Sequence, residues 1–276
     1  MEYKGIKIDL LFARLALNEV HDSVDLRDDT VFMNMDEKSV RSLNGFRVTN
    51  EILRQVPNRE GFRVTLRAIK LWAKLYLKEP NVGKLGFKVW NPQENLKDRF
   101  HLMPIVTPAY PQQNSTYNTC HPTLDVMVEE FKAGRWMIDD IMRGEATWDK
   151  LFHPSNFFMN YKHFLVVTAE AQTPEDHLEW YGLVESKIRH FICSLGENPA
   201  IETVHINPTT FTCSNEEYAQ TPHSSWFLGV VFHISEIDNI NLNDAFIHFV
   251  EVVSLYSTNV FAGTQDNHTT RSHKSR

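Results

Sequence analysis

The sequence has 276 residues, of which 42% are hydrophobic, 28 are lysine or arginine and 35 are aspartate or glutamate. That length permits one large domain or two ordinary domains with a hydrophobic core, and the net charge of −7 excludes a protein that is basic over its whole surface. No apolar run is long enough to predict a membrane span, and residues 1–10 lack the pattern of a secretory signal. We expect an intracellular globular protein.

The charge is unevenly distributed along the chain. Residues 1–99 carry 18 basic and 14 acidic side chains, whereas residues 100–276 carry 10 and 21. A basic first third joined to an acidic remainder indicates two units with different partners. By charge alone, only the first unit is suited to contact phosphate groups.

Several common sites are excluded by their missing motifs. Cys120, Cys193 and Cys213 are widely spaced and form no C-x-x-C pair, which favours a reducing compartment and argues against a cysteine zinc site. The chain also lacks the glycine-rich phosphate loops, the H-E-x-x-H zinc motif and the G-x-S-x-G nucleophile motif. These motifs therefore identify no catalytic residue.

The first predicted element is a β-strand over residues 4–10. Ile6, Ile8 and Leu10 alternate with Lys7 and Asp9, so the two polar side chains share one face. A carboxylate in this position suits Mg²⁺, which prefers oxygen ligands. An ordinary ion pair between Asp9 and Lys7 is the alternative, and the strand pattern alone leaves both open.

Two helices are predicted next, with Asp36 and Asn58 as their N-caps. Gly45 interrupts the apolar stripe of the first helix, which indicates either a break or a close approach of the backbone to a ligand. One flank of the second helix carries a row of cations. The row consists of Arg63, Arg67, Lys70 and Lys74. Such a row is usually solvated, and contact with phosphate is the less common alternative.

The rest of the chain predicts an α+β sandwich followed by a polar disordered tail from Gly263. A loop at 107–117 is expected to be rigid because two prolines fix its backbone. Helices are predicted at 123–133, 135–152 and 174–195. Strands are predicted at 162–169, 201–206, 226–234 and 246–256. The helix at 174–195 has the clearest limits, with Thr173 as N-cap and Pro174 in the first position.

Several blocks of sequence carry a more specific signal. They are residues 8–15, 41–45 with 47–49 and 51–53, 66–74, 101–104, 107–116, and 178–180 with 182–189. In this order they resemble the eukaryotic nuclear poly(A) polymerases, and the resemblance extends to about residue 262. It implies an enzyme that adds AMP from ATP to RNA 3′ ends without a template during mRNA 3′-end processing.

The resemblance also implies a division into domains. Residues 1–20 would end a nucleotidyltransferase domain and residues 21–105 would form part of a helical central domain. Residues 106–262 would form an RRM-like RNA-binding domain, and residues 263–276 would be a disordered tail. The expected fold class is α+β, with a remnant of the nucleotidyltransferase sheet.

Site residues follow from the same resemblance. Family members bind two Mg²⁺ or Mn²⁺ ions with three carboxylates, and Asp9 matches the third carboxylate. Lys70 matches the lysine that contacts the ATP triphosphate, and Asn44 matches a residue near the nucleotide sugar. Lys187 and Arg189 are the local basic candidates for RNA binding in the acidic C-terminal part. The resemblance implies three partners: ATP, the 3′ end of an RNA, and the cleavage and polyadenylation factors. It implies a location in the nucleus, and no contact with a membrane is expected.

The chain also departs from the family pattern in two places. The family's Gly-Ser loop and its paired carboxylates lie upstream of the matched residues, and a segment after Lys74 with a nucleotide-contacting tyrosine is missing. The chain is therefore expected to be an N-terminally truncated and internally deleted form that is inactive alone. The alternative is a non-catalytic module that binds RNA or a 3′-processing partner.

Overall fold

The computed structural model describes residues 2–4, 6–8, 10–77, 89–154, 156–213, 221–233 and 240–271. The chain forms two compact units, residues 1–66 with 84–119 and residues 67–83 with 120–276. Over the described ranges there are eight α-helices and one four-stranded antiparallel sheet, which confirms the α+β class. None of the helices in these ranges is long and apolar enough to cross a membrane.

The first unit begins with a hairpin of two antiparallel strands of two residues each, β1 (Glu2–Tyr3) and β2 (Ile6–Lys7). The strand predicted over residues 4–10 is therefore shorter than expected. Helix α1 (Glu37–Gln55) follows, and the Asp36 carboxylate accepts a hydrogen bond from the Ser39 amide at 3.0 Å. This contact confirms the predicted N-cap. The helix continues through Gly45, which excludes the predicted break at that position.

Helix α2 (Arg59–Tyr76) starts where the sequence predicts. The Gly61 amide donates to Asn58 Oδ1 at 2.9 Å, so Asn58 is its N-cap. The short helix α3 (Leu96–Arg99) belongs to the first unit. Most of α2 is exposed, and Trp72 is its one buried side chain among the described residues.

Over the described residues, five helices lie wholly in the second unit. They are α4 (His121–Met142), α5 (Trp148–Leu151), α6 (Phe157–Asn160), α7 (Pro174–Gly196) and α8 (Asn243–Arg271). Helix α4 runs through the boundary between the helices predicted at 123–133 and 135–152, and α5 lies within the second of these ranges. Gly144 turns the chain after α4 with a φ of 77°. Thr173 caps α7 by accepting from the Asp176 amide at 3.1 Å, as predicted.

The strand predicted at residues 246–256 is wrong, because this segment lies inside α8. Ala245, Phe249 and Val253 are buried at intervals of four residues, which is a helical period. The many β-branched and aromatic residues favoured a strand, but packing of one helical face decides the structure. Helix α8 also includes residues 263–271 of the predicted tail, and residues 272–276 lie outside the described part.

The sheet consists of β3 (His163–Glu170), β4 (Ile201–Ile206), β5 (Phe211–Cys213) and β6 (His223–Phe232). Strand β6 pairs antiparallel with β3 along one edge. Along its other edge it pairs with β4 near its end and with β5 near its start. Three of the four strands predicted in the C-terminal part are thus confirmed as β3, β4 and β6.

One face of this sheet supports the hydrophobic core. Phe191 and Leu195 of α7 pack with Trp226 and Leu228 of β6, and all four side chains are fully buried. The opposite face carries aromatic rings from the segment around α6. There the Tyr161 ring lies so close to Gly229 that a Cβ at this position would overlap it. Glycine is therefore required at residue 229 for this ring to pack against the sheet.

Candidate functional site

Asn44 lies in α1 with only 5% of its surface exposed. Its amide nitrogen donates to Gln113 Oε1 at 3.1 Å. Its Oδ1 atom is buried and receives no hydrogen bond from the described residues. A buried acceptor without a donor is costly, so a donor that reached this oxygen would offset the cost. Beside it, a Cβ on Gly45 would meet no atom within 4 Å, so the helix is open at that point.

The partner of Asn44 is held by the loop predicted to be rigid. The Gln113 amide donates to Thr107 Oγ1 at 2.9 Å, and the Thr107 amide donates to the Gln113 carbonyl at the same distance. The Ser115 amide adds a bond to the Ile105 carbonyl at 2.9 Å. These bonds close the loop on itself, so Gln113 presents its side chain from a fixed backbone.

Arg47 is a structural residue that sequence reasoning missed. It is only 5% exposed, and its guanidinium donates to the carbonyls of Arg27, at 2.7 Å, and Tyr110. It also pairs with the Asp29 carboxylate and lies over the Phe32 ring, 4.4 Å from its centroid. Arg47 thus connects two loops to α1, one turn beyond Asn44. The signal available in the sequence for this role was an arginine on the face of α1 that is buried.

The other two residues assigned to the nucleotide site are Asp9 and Lys70. Asp9 lies outside the described residues, so its metal role stays a prediction. Lys70 is exposed on α2, as are Arg63, Arg67 and Lys74. Lys70 belongs to the second compact unit, whereas Asn44 belongs to the first. In the part of the chain that the structure describes, no three His, Cys, Asp or Glu residues are grouped to hold a metal ion.

A cluster of basic side chains lies on α7 and α8 of the second unit. The Lys187 ammonium is 3.3 Å from the centroid of the Tyr256 ring, a cation–π contact between the two helices. The Nε and Nη1 atoms of Arg189 are buried and have no hydrogen-bond acceptor among the described residues. We call Lys187, Arg189, His190 and His248 the basic cluster.

Electrostatic effects within the basic cluster are repulsive. The pKa of His190 is lowered by burial and then by the charges of Arg189, Lys187 and His248. Burial also lowers the pKa of Arg189, and Tyr256 is the group that opposes this change. The guanidinium is therefore partly desolvated beside other cations. An anion bound here would supply the missing acceptor and reduce the repulsion.

Three segments of the chain match models of known protein domains. Residues 1–56 match the model of the poly(A) polymerase nucleotidyltransferase domain, and residues 74–154 match that of the poly(A) polymerase central domain. Residues 156–225 match the poly(A) polymerase predicted RNA binding domain. Three consecutive domains of a nucleotidyltransferase are thus represented in one chain.

Two curated relatives agree with these matches. Nuclear poly(A) polymerase 1 of Arabidopsis thaliana is 34% identical over 278 residues, which include 82% of this chain and 38% of the relative. Poly(A) polymerase of Dictyostelium discoideum is 34% identical over 317 residues, which include 92% of this chain and 38% of that relative. The chain belongs to the poly(A) polymerase family, and it spans well under half the length of these two relatives.

Proposed function

We propose that these residues are part of a polynucleotide adenylyltransferase that transfers AMP from ATP to an RNA 3′ end in the nucleus. The domain matches and the names of the two relatives support the reaction and the location. In this proposal Asn44 binds the nucleotide sugar, and Lys70 offsets the charge of the triphosphate. Cleavage and polyadenylation factors are the proposed protein partners.

The observation that best supports nucleotide binding is the buried Oδ1 atom of Asn44. Because Gln113 accepts from the Asn44 amide nitrogen, the carbonyl oxygen is directed elsewhere and lacks a donor among the described residues. A ribose hydroxyl is a donor of the required kind. Asn44 thus fixes the sugar, and the reacting end of the nucleotide is positioned relative to it.

The metal site implied by the family needs more carboxylates than this chain supplies. Mg²⁺ or Mn²⁺ ions would polarise the phosphate and activate the RNA hydroxyl when bound. Asp9 is the one residue of the 276 that matches a family carboxylate, and one carboxylate does not hold two divalent ions beside a triphosphate. We therefore expect a polypeptide of these residues alone to lack adenylyltransferase activity.

Nucleotide binding is tested by calorimetry with ATP, 2′-deoxy-ATP and 3′-deoxy-ATP. Asn44→Ala should weaken ATP binding about 5- to 10-fold, the equivalent of one lost hydrogen bond. For the analogue that lacks the contacted hydroxyl, the same substitution should change little. Asn18→Ala, at an exposed asparagine, is the control. Equal losses for all three nucleotides, or no ATP binding by the chain, would contradict the proposed role of Asn44.

RNA binding without catalysis is the second candidate, and the basic cluster supports it. Arg189 offers two buried N–H donors that have no acceptor in the described part of the chain, and Lys187 adds a positive charge near Tyr256. An RNA phosphate is an anion with several acceptor oxygens, which suits this arrangement. Local charge of this kind can act even though residues 100–276 have an excess of acidic side chains.

This candidate is tested by the binding of a short fluorescent oligo(A) at several salt concentrations. Arg189→Gln and Lys187→Gln should each weaken binding and lower the salt slope by about 1, the loss of one phosphate contact. Arg135→Gln makes the same charge change at a side chain that is 82% exposed, and should leave the affinity nearly unchanged. Equal effects of all three substitutions would indicate a general charge effect and refute a specific site.

A further inference from the structure

Two cysteines that are distant in sequence meet between α4 and α7. Cys120 and Cys193 are joined by a disulfide, with their Cα atoms 5.8 Å apart and a sequence separation of 73. Cys120 immediately precedes α4, and Cys193 lies in the last turn of α7. Both residues are partly exposed, so small molecules can reach the pair. The wide spacing of the three cysteines favoured a reducing compartment and did not predict this disulfide.

The two helices are held together by packing as well as by the sulfur atoms. Gly196 lies three residues after Cys193, and a Cβ at this glycine would overlap the Pro122 ring at the start of α4. Such close contact needs no covalent bond. This packing does not depend on the sulfur atoms, so we expect the two thiols to stay adjacent after reduction.

Cys120 is placed to be the reactive thiol of the pair. It is the N-cap of a 22-residue helix, where unpaired backbone N–H groups favour negative charge. Its sulfur lies 3.6 Å from Thr123 Oγ1, and the Thr123 hydroxyl donates to the Cys120 carbonyl at 2.9 Å. A helix N-terminus favours the thiolate form of a cysteine, and the thiolate is the nucleophile in disulfide exchange.

We propose that Cys120 and Cys193 form a reversible redox link between the segments that match the central and RNA-binding domains. The Cys120 thiolate attacks one sulfur of oxidised glutathione and releases one glutathione thiolate, which leaves a mixed disulfide. The Cys193 thiolate then attacks the Cys120 sulfur and releases the second glutathione. The protein loses two electrons and two protons, and the glutathione disulfide gains them as two thiols. This link does not depend on the proposed enzymatic function.

The first measurement is made on the full chain in buffers of defined reduced and oxidised glutathione. Alkylation followed by peptide mass mapping should find three modified cysteines in the reduced protein and one, Cys213, in the oxidised protein. The Cys120–Cys193 peptide pair should disappear on reduction. Absence of this pair at every glutathione ratio would overturn the proposal. So would an equal yield of pairs that contain Cys213.

The second measurement shows whether the link constrains the fold. Oxidation should raise the thermal unfolding midpoint by roughly 10 °C, because it closes a long loop of the unfolded chain. Cys193→Ser should abolish this shift and Cys213→Ser should retain it. Circular dichroism of the reduced wild type should equal that of the oxidised protein, because packing holds the helices. A shift that persists in Cys193→Ser, or loss of helix on reduction, would contradict the proposed link.

Discussion

His205 on β4 is expected to make folding stability depend strongly on pH. The side chain is 7% exposed, and its Nδ1 accepts from the Tyr161 hydroxyl at 2.6 Å. Its Nε2 lies 3.4 Å from the carbonyl oxygen of Tyr76, so the neutral ring with a proton on Nε2 fits both contacts. Burial lowers the pKa to about 4 from its ordinary value of 6.5, and the Tyr76 carbonyl opposes this shift in part.

The sign and size of the effect follow from proton linkage. The unfolded chain binds a proton at His205 at higher pH than the folded chain does. The contribution of His205 to the free energy of unfolding is therefore fully present above the ordinary pKa of 6.5, and it is lost as the pH falls toward the folded-state pKa of about 4. Between neutral pH and about pH 5 the loss should be about 2 kcal/mol. Glu130 acts in the opposite direction because burial raises its pKa. The contribution of His205 must therefore be isolated with a variant.

Urea unfolding of the wild type and of His205→Gln, at about pH 8 and about pH 5, measures this contribution. The wild type should lose about 2 kcal/mol more than the variant on acidification. His163→Gln makes the same change at an exposed histidine of β3 and should behave as the wild type. Equal pH dependence of the wild type and His205→Gln would refute the argument, whatever their stability at neutral pH.

Three further substitutions test the packing, each by its urea unfolding free energy. Gly229→Ala should cost about 1–3 kcal/mol because the new Cβ overlaps the Tyr161 ring, and a neutral result would show that the ring does not pack there. Gly45→Ala should raise the free energy of unfolding by about 1 kcal/mol, because alanine favours a helix more than glycine and the added carbon meets no atom within 4 Å. A decrease in stability would show that the added carbon makes an unfavourable contact. Arg47→Met should cost about 3 kcal/mol because the carbonyls of Arg27 and Tyr110 lose a buried donor, and unchanged stability would exclude this role.

Local signals in the sequence were sufficient for several elements. Asp36, Asn58 and Thr173 cap their helices as predicted, because a cap depends on a side chain and an amide only three residues away. Strands β3, β4 and β6 were predicted from short apolar runs. In contrast, the start of α8 was predicted as a strand, because its β-branched and aromatic composition outweighed the four-residue spacing of its buried side chains.

Long-range contacts explain what sequence reasoning could not provide. The Cys120–Cys193 pair depends on how α4 and α7 meet, which their 73-residue separation does not reveal. The buried state of Asn44 depends on Gln113, which is 69 residues away. Likewise, the basic character of Arg189 was visible in the sequence. That two of its nitrogen atoms have no acceptor among the described residues became visible only in the packed helices.

The most direct test of the proposed function follows binding and extension in one reaction. The 276-residue chain is incubated with labelled oligo(A), ATP and Mg²⁺ or Mn²⁺, with the Arabidopsis relative as positive control. We predict that the chain shifts the RNA on a native gel and adds no adenylate, because Asp9 alone does not complete the metal site. Extension that Asp9→Ala abolishes would contradict this account, because carboxylates from elsewhere in the chain would then complete the site. Failure to bind RNA would contradict the proposed role of Arg189.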